Sequence, residues 1–96
     1  MTKVSRTELK KLEDLFRAIG YTVRYEKGSF QSGYCLLDDH PIVVINKFFD
    51  REGRYHTLLS ILSRLELERE NLPDETIATL DKYLKKAVNL LEPTAE

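Results

Sequence analysis

The chain has 96 residues, 42% of them apolar and 32% charged, enough for one folded domain with a modest core and too apolar for a disordered segment. Fifteen basic residues against sixteen acidic ones leave a net charge of −1, so there is no bulk field to gather nucleic acid. A single cysteine, Cys35, excludes a disulfide within these residues and fits a reducing cytoplasm, and no apolar run approaches the ~20 residues that cross a bilayer. The polar start Met-Thr-Lys-Val-Ser-Arg lacks the apolar segment of a signal peptide. The expected location is the cytoplasm.

Ser5 and Glu8 form an S-x-x-E capping box. Leu9, Leu12, Phe16 and Ile19 then recur at spacings of three and four, and Gly20 supplies a left-handed stop. These signals predict a helix over 6–19. The period then changes to two. Tyr21, Val23 and Tyr25 alternate with Thr22, Arg24 and Glu26, as in a half-buried strand near a sheet edge. After an interruption at 27–33 a second strand resumes at 34–37. Asp38-Asp-His-Pro41 reads as a tight turn. Ile42-Val-Val-Ile45 is apolar on both faces, which suits the middle of a sheet.

A connection over 46–53 follows, with Asp50 placed to cap a second helix. Tyr55, Leu58, Leu59, Leu62 and Leu65 form that helix's buried stripe, broadened by Ile61 and Leu67. A third helix starts near Pro73 or Asp74. It buries Ile77, Leu80, Leu84, Ala87, Val88 and Leu91, and Pro93 ends it. The short connections predict an α+β fold: a helix, a three-stranded antiparallel meander, then two helices packed on the sheet, in a single domain over 1–96.

The chemistry-bearing residues do not assemble into a reactive set. Gly28-Ser-Phe-Gln-Ser-Gly33-Tyr-Cys has the glycine spacing of a phosphate loop. Tyr34 and Cys35 stand where that loop needs lysine and a hydroxyl, and a strand follows where a helix should. A bend between strands, anchored by Phe30, explains it. Cys35, His40 and His56 carry no metal-ligand spacing. Cys35 in a strand reads as an inert thiol, His40 as a turn residue and His56 as a helix-surface residue. Adjacent Asp38 and Asp39 would face opposite ways in a strand, so they are no carboxylate pair. No catalytic residue, metal or cofactor is expected.

Contact residues are easier to nominate. Phe48 and Phe49 are two large aromatics in one connection. Either both tuck under the helices or they offer an exposed apolar contact to a partner or ligand. Tyr83 and Leu90 lie off the main stripe of the third helix, seven residues apart, and either widen its core face or form a seam against a second subunit. A small-ligand pocket between the 27–33 loop and the 46–53 connection would draw on Arg24, Tyr25, Phe30, Tyr34 and Arg54. The basic residues of the first helix are interrupted by Glu8, Glu13 and Asp14, which argues against nucleic acid.

Gly20-Tyr-Thr-Val-Arg-Tyr25, Ser32-Gly33, Ile42-Val-Val-Ile-Asn46 and Arg54-Tyr55 at a helix start occur in that order. Over residues 9–62 the series resembles the early core of ImmA/IrrE-type metallopeptidases. That resemblance implies their scaffold. It departs at the zinc motif, where HExxH is replaced by His56-Thr-Leu-Leu-Ser, so it implies no catalytic residue. The resulting expectation is a small non-catalytic domain acting through protein contacts, with a protein partner or a second copy of itself.

Overall fold

Ser5 stops the first turn of a helix from fraying. Its Oγ accepts the Glu8 N–H at 3.0 Å, a cap worth about 1 kcal/mol. In the computed structural model, which describes residues 4–27, 33–37 and 40–91, α1 runs over Arg6–Ala18. It buries Leu9, Leu12, Leu15 and Phe16. Gly20 follows at φ 99°, a conformation that costs a residue with a Cβ and costs glycine little.

Three strands come next: β1 (Thr22–Glu26), β2 (Gly33–Leu37) and β3 (His40–Asn46). They do not form an antiparallel meander. The order in space is β1-β3-β2, with β1 parallel to β3 and β2 antiparallel to it. The sheet is therefore mixed. Connection lengths explain the difference. Only two residues separate β2 from β3, which forces a hairpin. Six separate β1 from β2, and six extended residues reach about 20 Å. Two strand spacings are only about 10 Å, so the chain can skip one strand position. The apolar run of β3 then takes the middle, flanked on both sides. His40 and Pro41, expected in a turn, are the first residues of β3. Asp38 and Asp39 lie outside the described residues.

In the parallel pair, Val23 stands beside Val43 and Tyr25 beside Ile45. Val43 and Ile45 are fully buried, so this is the face that meets the helices. Thr22, Arg24 and Glu26, on the other face of β1, are exposed.

Asp50 caps α2 (Arg51–Leu62) by accepting the Gly53 N–H at 2.8 Å. A short 3₁₀ turn at Arg69–Asn71 leads to α3 (Asp74–Leu91). Helix α1 packs on β1, and α2 packs on β3. Helix α3 packs on α1 and α2 and so forms a layer behind them, in contrast to the expected pair of helices on the sheet. The core runs through all of these contacts and includes Phe16, Ile45, Leu58, Leu59, Leu62, Leu80 and Tyr83. No helix among the described residues is long and apolar enough to cross a membrane.

Candidate functional site

The turn from β3 to α2 is short and heavily bonded. Asn46 Oδ1 accepts the Phe48 N–H at 3.0 Å, the local bond by which asparagine stabilises turns. The Asn46 carbonyl accepts the Phe49 N–H at 3.1 Å. Arg54 reaches back one helical turn: its Nε donates to the Phe49 carbonyl at 3.0 Å and its Nη2 to the Lys47 carbonyl at 2.8 Å. Two orphan carbonyls are thus satisfied by one planar, charged group, a stronger arrangement than neutral bonds would give.

The same guanidinium lies over the Tyr25 ring, 4.5 Å from its centre. The Tyr25 hydroxyl donates to the Glu13 carboxylate. Burial, and then the Glu13 bond, push the Tyr25 phenol well above its ordinary range. A continuous line of contacts therefore runs from α1 through β1 and α2 to the turn. Backbone pairing adds a further tie, since the Lys47 N–H donates to the Glu26 carbonyl at 2.8 Å.

What this turn does with its aromatics is the telling feature. Phe48 is 73% exposed and Phe49 38% exposed. Of the two readings open from sequence, tucking under the helices is excluded for Phe48. The chain holds the backbone firmly and leaves a full aromatic ring in water.

The other nominated residues disperse. Arg24 points away from Tyr25, as strand alternation requires, and pairs with Glu26 at 3.1 Å on the open face of the sheet. Arg54 is spent on the turn. Tyr25 and Arg54 meet, but Arg24 lies on the opposite face of β1, so the three do not converge on one ligand. Phe30 lies outside the described residues, as do the side chains of Tyr34 and Leu90. A groove of about 450 Å³ does exist elsewhere, between α1 and α3, lined by Lys11, Asp14, Thr76, Thr79 and Lys82 among others. Tyr83 is 1% exposed, so it belongs to the core and has no surface to give to a subunit seam. Val88, expected on the buried stripe, is instead 55% exposed. Among the described residues no three His, Cys, Asp or Glu side chains come together as a metal site would require.

One cluster escaped the sequence reading. The Glu8 carboxylate does not complete the capping box. Its Oε2 instead accepts from the Tyr55 hydroxyl at 3.3 Å, the Tyr83 hydroxyl at 3.2 Å and Lys86 Nζ at 3.0 Å. One oxygen thereby ties α1, α2 and α3 together. The Lys86 bond leads in holding the Glu8 carboxyl below its ordinary 4.5, and the two phenols add to it. Burial first, then the Glu8 charge, pushes Tyr55 and Tyr83 up to about 12. The signs give opposite pH limits. A depressed carboxyl contributes stability above its unfolded value and loses it as pH falls through the folded one. A raised phenol contributes fully below about 10 and loses its contribution as pH rises toward 12. The Glu8→Gln variant is expected to flatten the acid limb below pH 4.5 in a series of urea titrations. An acid limb identical to that of the parent would contradict this assignment.

Comparison of the chain with protein-family models, curated proteins and solved structures finds no match.

Proposed function

We propose that this chain is a small contact module that binds a protein partner through the β3–α2 turn, with Phe48 as its anchor. The observation that carries the reading is a 73% exposed phenylalanine on a backbone fixed by five hydrogen bonds. Large aromatic side chains are enriched among the few residues that dominate interface energies. A turn already held in one conformation loses little freedom on binding. Lys47, next to Phe48 in the chain, is exposed and suits the polar rim that surrounds such an anchor.

No catalytic role is inferred from the likeness to ImmA/IrrE-type metallopeptidases. His56 begins His-Thr-Leu-Leu-Ser, which supplies neither the second histidine nor the glutamate base of a zinc peptidase.

The experiment is site-specific photo-crosslinking in cells, with a benzophenone amino acid at position 48 and, as control, at position 88, which is also exposed. A discrete adduct from position 48 that is missing from position 88 is the expected result. Equal, smeared labelling from both positions would overturn the proposal.

A further inference from the structure

A second surface of the molecule carries its own signal, independent of the turn. Strand β1 ends the sheet, and no described residue pairs with its outer edge. The Lys47 N–H bonds the Glu26 carbonyl, so the peptide groups of Glu26 point toward β3. Alternation along the strand aims those of Thr22 and Arg24 the same way. The N–H and C=O groups of Val23 and Tyr25 therefore point outward from the sheet, with no backbone partner among the described residues. The Tyr25 ring does not obstruct them, because Glu13 and Arg54 hold it on the helix side.

The side chains along this edge are self-complementary in one register only. Arg24 and Glu26 flank Tyr25 on the open face of the sheet. A two-fold axis through Tyr25, with the second strand antiparallel, sets Arg24 opposite Glu26 of the other copy, and does so twice. It also makes Tyr25 a hydrogen-bonded pair with its own symmetry mate, as its outward peptide groups demand. An axis through Arg24 would set arginine against arginine, and one through Glu26 would set glutamate against glutamate. An axis through Val23 would set Arg24 against Thr22 and gain no ion pair between the copies beyond the Arg24–Glu26 pair within each chain.

We propose that β1 pairs with β1 of a second copy about this axis, extending the sheet to six strands in the order β2-β3-β1-β1-β3-β2. Opposite charges directly across an antiparallel pair stabilise it, and like charges destabilise it. The two-fold interface closes on itself and removes an open edge that would otherwise invite uncontrolled pairing.

The test combines sedimentation with charge exchange. The parent chain is expected to be a dimer at micromolar concentration. Arg24→Glu alone, or Glu26→Arg alone, sets like charges across both symmetric positions and weakens the dimer by about tenfold or more. The double exchange, Arg24→Glu with Glu26→Arg, rebuilds both pairs and restores dimerisation. Both changes lie on the exposed face, and circular dichroism checks that each of the three variants is folded. Amide hydrogen exchange adds the register: protection at Val23, Tyr25 and Lys27 rises with protein concentration, while that at Arg24 and Glu26 does not. A monomer at every concentration overturns the proposal. So does a dimer indifferent to the single reversals, one not restored by the double exchange, or protection without the alternation.

Discussion

Replacing Tyr83 with alanine is expected to cost about 3–5 kcal/mol, the range for truncating a buried aromatic side chain. Among the described residues Tyr83 is the largest of the fully buried side chains and sits where α3 meets the other two helices. Its ring lies under Lys82 at 5.8 Å and Lys86 at 5.2 Å, and its hydroxyl is one of three donors to Glu8. A domain of this size has a total stability of about 5–15 kcal/mol, so the loss is a large fraction of the whole. For chains of 60–100 residues each kcal/mol moves the melting temperature by about 4–8 °C, and a fall of more than about 12 °C is expected. Tyr83→Phe separates the two contributions. It keeps the ring and leaves Glu8 with Tyr55 and Lys86, so its cost should be about 1.5 kcal/mol, the low end for a hydrogen bond to a charged group. Thermal or urea unfolding of the two variants measures the difference. Equal small losses would mean that Tyr83 is not the buried wedge described above.

The Phe48→Ala variant is expected to lose at least about 2 kcal/mol of partner affinity, about 30-fold in Kd, as central aromatic anchors do on truncation. Lys47→Ala, a rim change, is expected to act mainly on the association rate and its salt dependence. Both effects can be read by calorimetry and surface-binding kinetics on the partner identified through the position-48 adduct. An affinity unchanged by Phe48→Ala would remove the turn from the interface.

The parts of the fold written in local chemistry were readable from the residues. Ser5, Gly20 and Asp50 each mark a helix boundary, because capping and left-handed backbone depend on one residue and its immediate neighbours. The apolar run 42–45 signalled a central strand for a similar reason: both its faces reject water. A meander would put 34–37 in the middle, whereas β3 takes that place. The hydrophobicity of β3 outweighed the habit of sequential pairing, and six residues between β1 and β2 were enough to let it. The helix layer was harder. Glu8 matches a capping box in sequence, yet its carboxylate is claimed by Tyr55 and Tyr83, 47 and 75 residues away along the chain. No local pattern encodes that choice. Tyr83 looked like spare surface because it lies off the main stripe of α3. Packing α3 against two helices at once widened its buried face and took Tyr83 in. Phe48 could not be placed by pattern at all. Its exposure follows from Arg54 and Asn46 fixing the turn through four bonds, the Asn46 carbonyl included, a local set written in hydrogen bonding and not in apolar periodicity.

Phe48 stands outside a firmly held turn and takes no part in the core. Thermal unfolding of the isolated Phe48→Ala variant tests this most directly, without need of a partner. A ring 73% exposed contributes little to folding, so the melting temperature should stay within about 4 °C of the parent, as surface changes within ±0.5 kcal/mol allow. A fall comparable to that of Tyr83→Ala would place the ring in the interior and contradict the account.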